Sequence, residues 1–290
     1  MSSEIRYFDT HAHYNLRDFS EDLPEVTERI RAAGVQRDAV IGIDLPSSER
    51  AVELAKADSA RLAVVGIHPT HVAKASKWDL QKIRNLAGLD VWIKENRVKG
   101  IPGKVAAVGE IGLDYHAGSQ RVPDGGIILE KDEFRALQKE YFLEQLKIAE
   151  EAELPVVIHS REAAQDTYDI LKQEKDKLHG GVIHCYSSSV EMARLFTGLG
   201  FYLGFGGKVT DPAAKNPRNV VAEIPLSKIV LETDCPYVRP VGWDKKRNDS
   251  ESLSIIANSI AEIKGISVEE VCQVTWENAC KLYRISPDIS

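Results

Sequence analysis

Cysteine is scarce in this chain of 290 residues, and the spacing of its cysteines excludes two common kinds of site. Dithiol redox centres and many structural zinc modules use CxxC pairs. None of the four cysteines belongs to such a pair; they are Cys185, Cys235, Cys272 and Cys280. We therefore expect four small buried thiols, with neither disulfides nor cysteine ligands to zinc.

Long apolar runs are missing as well. A helix that crosses a membrane needs about 20 consecutive apolar residues, and no run in the sequence approaches that length. The first predicted strand begins at Ile5, which leaves no room for the charged and apolar regions of a signal peptide. We expect a cytoplasmic protein without membrane contact.

The chain also lacks an excess of positive charge. It contains 37 Lys and Arg against 44 Asp and Glu, which gives a formal net charge of −7. This balance argues against a protein that grips a long nucleic acid through a broad basic face. A nuclease is not excluded, because divalent cations held in a site attract phosphate locally even on an acidic protein.

Short apolar runs alternate with amphipathic stretches along the whole chain. The runs that predict strands lie near residues 5–8, 39–43, 62–67, 105–108, 156–159, 182–184, 201–204 and 229–233. Helices are predicted over residues 23–33, 49–57, 134–152 and 163–175, with a last helix after Ser267, whose spacing to Glu270 is a capping-box signature. Eight strands with helices between them favour an α/β fold of the (β/α)8 TIM-barrel type, as one domain over residues 1–290.

Imidazole and carboxylate side chains follow most of these apolar runs. They are His11 and His13 after IRYF, His68 after LAVVGI, Glu110 after KVAAV, His159 after PVVI, His184 after GVI and Asp234 at the end of KIVLET. In a parallel barrel the carboxyl ends of the strands form one rim, so residues distant in sequence converge there. The pattern therefore predicts a metal site at this rim.

Local spacing adds detail to this prediction. Side chains at i and i+2 of a strand point to the same side, so His11 and His13 can both face the site. A carboxylate at Glu110, after an apolar run, is costly to bury unless it is paired or coordinated, and its two oxygens could bridge two cations. Asp234 is placed to ligate a metal and to accept a proton from water. The alternatives are one ligand with one hydrogen-bonding histidine in the HxH, and a surface position for Glu110.

The motifs that contain these residues resemble, in order, the signature set of the TatD family of metal-dependent deoxyribonucleases, within the wider amidohydrolase-like metallohydrolases. They are FDTHAH, GIHPTH, VGEIGLDYH, PVVIHSREA, IHCYSSS and LETDCPY. The resemblance implies one cation held by His11, His13, Glu110 and Asp234, and a second held by Glu110, His159 and His184. Glu110 and Asp234 are the catalytic carboxylates in this scheme, and Glu110 bridges the cations.

The resemblance also implies a set of substrate contacts. His68, His116 and Arg161 would approach phosphate, and Tyr186 and Ser187 would line the same rim. A plain surface position is the alternative for His116 and for His71. Departures from the family pattern are Cys235, where many members have alanine, and Tyr186 and Ser188, which replace phenylalanine and glycine.

Two loops bear on the substrate. Residues 118–132 form a turn-rich stretch that is longer than the connection common in the family, which leaves substrate size open. Residues 244–249, DKKRND, resemble a basic stretch that family members carry after the last strand. A solvated run of charges is the alternative interpretation of that stretch.

The metal site and the resemblance together predict an enzyme that hydrolyses phosphodiester bonds with a water activated by two metals. The resemblance implies that the substrate is DNA and that the enzyme is a 3′–5′ exodeoxyribonuclease. The expected cofactors are two divalent ions per subunit, zinc, manganese or magnesium, and the four histidines favour softer ions over magnesium alone. The expected partners are DNA ends or single-stranded DNA, with no obligate protein partner. Two alternatives remain: a hydrolase of a small amide, ester or lactone, and a catalytically silent binding barrel.

Overall fold

The computed structural model describes residues 5–89, 105–118, 120–121 and 128–288. Its larger sheet contains eight strands in the order of the chain. They are β1 Tyr7–Ala12, β2 Val35–Ile41, β3 Arg61–Val65, β4 Val105–Asp114, β7 Val156–Arg161, β8 Gly181–Ile183, β9 Tyr202–Phe205 and β10 Ile229–Leu231. A separate antiparallel pair consists of β5 Gln120–Arg121 and β6 Ile128–Leu129.

Helices follow most of the strands. They are α1 Leu23–Ala32, α2 Leu45–Ala57, α3 Lys77–Arg84, α4 Lys131–Ala152, α5 Ala164–Glu174, α6 Val190–Gly198, α7 Lys215–Glu223, α8 Leu253–Lys264 and α9 Val268–Leu282. The predicted cap at Ser267 is present, since its hydroxyl oxygen accepts a hydrogen bond from the Glu270 amide at 3.1 Å. This alternation is the predicted (β/α)8 arrangement.

The compact part that falls within residues 1–40 and 182–290 contains both ends of the larger sheet. Thr10 of β1 donates through its hydroxyl to the carbonyl of Leu231 at the end of β10, at 2.8 Å. Ala12 forms a parallel bridge with Cys235, which follows β10. Phe8 packs between the rings of Trp276 and Tyr283 on and beside α9, with centroids 5.8 and 5.6 Å away. The last helix therefore covers the outer side of β1.

A second compact part falls within residues 41–181 and contains β3, β4 and β7. Helix α4 packs on these strands and contributes two buried glutamines. The Gln145 side chain accepts from the Ile67 amide at 2.7 Å and donates to the Ile67 carbonyl at 3.1 Å. The Gln138 side chain does the same for Asp114, at 2.9 and 3.0 Å. Both strand ends are thereby fixed to one helix.

Three expectations about individual segments have different outcomes. The prediction of four buried thiols is correct for Cys235, Cys272 and Cys280, but Cys185 is partly exposed because it follows β8 at a turn with a left-handed φ of 46°. Within the predicted loop 118–132, residues 119 and 122–127 lie outside the described residues, and the flanking ends form β5 and β6. Among the residues that the structure describes, none of the helices has the length and apolar character that a bilayer crossing requires.

Candidate metal centre

The first candidate metal-binding group, named here the HHD cluster, consists of His11, His13 and Asp234. The two imidazole Nε2 atoms lie 3.2 Å apart. Oδ1 of Asp234 lies 3.3 Å from Nε2 of His13 and 3.8 Å from Nε2 of His11. All three side chains are buried or half-buried, and three donor atoms converge on one small volume, as the HxH spacing predicts.

Backbone hydrogen bonds between β1 and the segment after β10 hold the HHD cluster together. The Asp234 amide donates to the His11 carbonyl at 2.8 Å, and the His13 amide donates to the Cys235 carbonyl at 2.8 Å. Asp234 itself has a left-handed φ of 56°, a conformation that non-glycine residues adopt infrequently. Such a residue persists where its surroundings fix it, and the aspartate is accordingly aimed at the two histidines.

His184 lies beside the HHD cluster. Its ring stacks on that of His11, with centroids 3.5 Å apart and an interplanar angle of 18°. Its Nε2 is 3.9 Å from Oδ2 of Asp234, and its Nδ1 is 3.1 Å from Oε1 of the buried Glu232. Nε2 is therefore the ring nitrogen of His184 that faces the HHD cluster.

Electrostatics keep Asp234 ionised. Burial alone would raise the pKa of its carboxyl, but attraction to His184, His11 and His13, with a hydrogen bond from His13, lowers that pKa below its usual value. An ionised carboxylate among imidazoles can ligate a cation and can accept a proton.

The second candidate group, named here the HEH cluster, consists of His68, Glu110 and His159 at the ends of the strands of the second compact part. Oε1 of Glu110 lies 2.8 Å from Nδ1 of His159 and 3.4 Å from Nε2 of His68. The two rings meet edge to face, with centroids 4.3 Å apart. Glu110 is buried, so the expectation of a buried and paired carboxylate is confirmed.

His159 is held from its far side by Asp114, the last residue of β4. Nε2 of His159 lies 3.1 Å from Oδ2 of Asp114, whose Oδ1 accepts from the Ala117 amide at 3.0 Å. Burial raises the pKa of Asp114, but the hydrogen bond and charge of His159 outweigh burial and lower it. Both ring nitrogens of His159 therefore lie against carboxylate oxygens: Nε2 donates to the ionised Asp114, and Nδ1 lies beside Glu110.

His68 differs from His159 in the hydrogen-bonding roles of its two ring nitrogens. Burial lowers the pKa of His68 to about 4, although attraction to Glu110 opposes the shift. The Thr70 amide donates to Nδ1 of His68 at 3.2 Å, so in the neutral ring Nε2 carries the hydrogen and points it at Glu110. This tautomer suits a hydrogen-bond donor better than a metal ligand.

The remaining predicted substrate contacts lie in different environments. Arg161 at the end of β7 is exposed, and the exposed His116 pairs with Glu162 at 2.7 Å. Tyr186 is buried and its hydroxyl donates to the Ser189 carbonyl at 2.8 Å, whereas Ser187 is exposed. His116, Arg161 and Ser187 are therefore accessible, and the roles of all five predicted contact residues stay predictions.

Glu232 and Asp114 are site residues that the sequence analysis did not single out. Each belongs to a quoted motif, and each is an acidic side chain that sits among apolar neighbours. That placement is the available signal, because a buried carboxylate requires a hydrogen-bonding partner. Asp114 has that partner in Nε2 of His159, and Glu232 has it in the Cys185 amide, which donates to Oε1 at 2.7 Å.

The donor chemistry of both clusters fits divalent cations. In each cluster the imidazole nitrogens and carboxylate oxygens lie within 4.8 Å of one another. Mixed nitrogen and oxygen ligands suit zinc, manganese and similar ions, and the Asp114 carboxylate at Nε2 of His159 is a partner that metal-binding imidazoles usually have.

Comparison with known proteins agrees with this chemistry. The sequence profile of the TatD related DNase family matches residues 8–284. YabD of Bacillus subtilis, an uncharacterized metal-dependent hydrolase, is 40% identical over 279 residues, which cover 96% of this chain and 99% of YabD. YcfH of Escherichia coli, described in the same words, is 30% identical and covers 96% of this chain and 95% of its own length.

Solved structures support the same assignment. The crystal structure of YjjV, a TatD homologue from Escherichia coli, superposes with a TM-score of 0.82 at 29% identity, covering 97% of this chain and 99% of that one. A TatD family hydrolase from Entamoeba histolytica, at 20% identity and a TM-score of 0.78, shares the fold. The chain therefore has a (β/α)8 TIM-barrel fold and is a metal-dependent hydrolase of the TatD family.

Proposed function

We propose that this hydrolase is a deoxyribonuclease that removes nucleotides from the 3′ end of DNA with two divalent cations. The observation that supports this proposal most directly is the pair of clusters, since phosphodiester hydrolysis commonly uses two metals. The choice of DNA rests on the resemblance to TatD deoxyribonucleases and on the name of the matching family.

The proposed ligands follow the two clusters. His11, His13 and Asp234 would hold one cation, His159 and His184 would contribute to the other, and Glu110 would bridge the two. When bound, the cations would supply positive charge that offsets the charge of the scissile phosphate and lowers the pKa of water. Zinc, manganese or magnesium are the proposed ions.

The protein groups have separate roles in the proposed reaction. Asp234 is kept ionised by its three histidine neighbours, so its carboxylate can accept the proton of the attacking water. His68 is neutral, and its Nε2–H, which points at Glu110, would donate to a phosphate oxygen once Glu110 holds the cations, without adding a competing charge. Asp114 would orient the ring of His159 through its contact with Nε2, and Glu232 lies beside Nδ1 of His184.

Substrate contacts complete the proposal. Arg161 and His116 would approach phosphate from the exposed ends of β7 and β4, and Ser187 and Tyr186 would belong to the segment after β8. We propose DNA ends and single strands as the partners, without an obligate protein partner, and a cytoplasmic location. A DNA end or a single strand reaches a recessed site more readily than an internal duplex bond.

A reconstitution assay tests the proposed function. Metal-depleted protein is incubated with single-stranded and double-stranded DNA, labelled at the 5′ or at the 3′ end, after separate addition of Mg²⁺, Mn²⁺ or Zn²⁺. The expected result is metal-dependent shortening from the 3′ end, absent in the His159→Ala variant. Protein that binds two ions and cleaves no DNA, yet hydrolyses small amides, esters or lactones, would favour the alternative hydrolase.

A further inference from the structure

Tyr237 is a large aromatic side chain exposed beside the HHD cluster. The residue is 52% exposed, and its ring centroid lies 6.1 Å from that of His13, at an interplanar angle of 64°. Tyrosine combines a large apolar ring with a polar hydroxyl and is enriched at binding surfaces for that reason. An exposed aromatic ring next to a predicted metal ligand therefore points to a ligand of its own.

The backbone under Tyr237 is fixed by neighbouring residues. The buried Asn248 donates through Nδ2 to the carbonyls of Tyr237 at 2.9 Å and Thr233 at 3.1 Å. The Tyr237 amide donates to the Asp234 carbonyl at 2.9 Å. The ring is thus carried on the same rigid segment as Asp234, so binding against it requires little reordering of the chain.

The next residue, Val238, shows how strongly this segment is constrained. It has a left-handed φ of 45°, which is an outlier for a β-branched residue. Its carbonyl packs against Gly207, where a Cβ atom would collide with the Val238 oxygen. The Val241 amide then donates to Oγ1 of Thr210 at 2.8 Å. These contacts fix the loop on the C-terminal side of the exposed ring.

The loop that contains Tyr237 has more basic than acidic side chains, unlike the chain as a whole. Residues 236–248, named here the platform loop, contain four basic side chains and one acidic one, in a chain of net charge −7. Lys245 pairs with Asp249 and Glu251, and Arg247 pairs with Asp22, so the positive charge offered to a ligand is that of Arg239 and Lys246. Exposed Arg239 donates to the carbonyls of Lys245 at 3.2 Å and Lys246 at 3.4 Å, which fixes the guanidinium without neutralising its charge. Lys246 is exposed as well.

We propose that Tyr237 is the stacking platform for an unpaired nucleobase at the end of a DNA strand, with Arg239 next to the adjoining phosphate. The inference rests on the proposed function and adds a specificity-determining residue to it. Proteins that bind single strands without reading sequence combine an exposed aromatic face, on which a base stacks, with positive charge that contacts the phosphate backbone of the nucleic acid. The nucleobase is recognised through its π-face, so all four bases are accepted.

Kinetics on matched substrates test this inference. The holoenzyme digests a single-stranded oligonucleotide and the same oligonucleotide with abasic sites in its last two 3′ positions. For the wild type, the abasic end should raise KM about tenfold, because stacking of a base is lost. Tyr237→Ala should raise KM about tenfold on the intact strand only and leave kcat within about twofold, whereas Tyr237→Phe should behave as the wild type.

A second readout follows stacking directly. A 3′-terminal 2-aminopurine, protected by a phosphorothioate at the last bond, should lose fluorescence on the wild type and on Tyr237→Phe, and should stay bright with Tyr237→Ala. The matched control is Trp78→Ala on α3, which removes another exposed aromatic residue, 61% exposed, from the second compact part. This control should leave KM and fluorescence as in the wild type.

The outcomes separate the inference from the proposed function. Wild-type enzyme that never shortens DNA would overturn both. Wild-type enzyme that shortens intact and abasic ends with equal KM would overturn the platform alone, whatever the folding of the variants. Equal KM values for the wild type and a folded Tyr237→Ala variant would likewise overturn the platform and leave the proposed function standing.

Discussion

At the scale of single residues, the orientation of each imidazole depends on one neighbouring acceptor or donor. Asp114 accepts from Nε2 of His159, Oε1 of Glu232 lies 3.1 Å from Nδ1 of His184, and the Thr70 amide donates to Nδ1 of His68. These contacts turn Nδ1 of His159 and Nε2 of His68 towards Glu110, and Nε2 of His184 towards Asp234. Chemically identical side chains thus acquire different functions from their hydrogen bonds.

Removing the Asp114 carboxylate should weaken metal binding without unfolding the protein. Asp114→Asn presents an amide that accepts a weaker hydrogen bond from Nε2 of His159, so the ring is a poorer ligand. We expect metal affinity to fall about tenfold or more, measured by titration of metal-depleted protein. Asp166→Asn is the control, because Asp166 binds Tyr115 and Lys139 instead. Equal affinities in the two variants would contradict the positioning role.

His68 should make the stability of metal-depleted protein depend on pH. Its pKa is about 4 when folded and about 6.5 when unfolded, so the unfolded chain binds the proton first as pH falls. The contribution of His68 to the free energy of unfolding is complete above about pH 6.5. It is lost as the pH falls towards 4, by up to about 1.4 kcal/mol per pH unit. Urea denaturation across this range should show a smaller dependence in His68→Asn, while the exposed His116→Gln variant should keep the wild-type dependence.

At the scale of secondary-structure elements, helix α4 fixes the chain at the ends of two strands, β3 and β4. Its buried Gln138 and Gln145 lie seven residues apart, two helical turns, so both point at the sheet. They bind both backbone groups of Asp114 and Ile67, the latter next to His68. Site geometry in this part therefore depends on a helix that contributes no predicted ligand.

Shortening Gln145 should destabilise the protein. Gln145→Ala would leave the buried amide and carbonyl of Ile67 without their side-chain partners, which should lower the free energy of unfolding by about 2 kcal/mol or more. Chemical denaturation compares this variant with Glu140→Ala, an exposed position on the same helix, for which we expect little change. A Gln145→Ala variant as stable as the wild type would show that other groups satisfy Ile67.

The sequence predicts the existence of these elements better than their ends. Apolar runs mark every strand of the larger sheet, but β1 continues to Ala12 because its pairing with β2 extends to Val40. Helix α2 begins at Leu45 and not at 49, because Asp44 accepts from the Ser47 amide and caps it. Such ends depend on pairing and capping, which periodicity alone does not resolve.

At the scale of the whole molecule, the order of the strands explains why the ligand types could be predicted. Residues that follow apolar strands in a (β/α)8 fold occupy equivalent positions. The two histidines of the HxH motif and the later Glu, His and Asp all follow such strands, and all are residue types that bind metals. Their partners could not be predicted, because Asp114 is 45 residues from His159 and Glu232 is 47 residues from Cys185, whose amide it binds. Those contacts exist only after folding.

Asp234 offers the most direct test of the central claim that these clusters hydrolyse DNA. Asp234→Asn keeps the size of the side chain but removes the charge that would bind a cation and accept a proton. End-labelled single-stranded DNA is incubated with wild type and variant after restoring the same metal, with circular dichroism as a check of folding. We predict shortening by the wild type and a loss of at least about a hundredfold in the folded variant; full cleavage by folded Asp234→Asn would contradict the account.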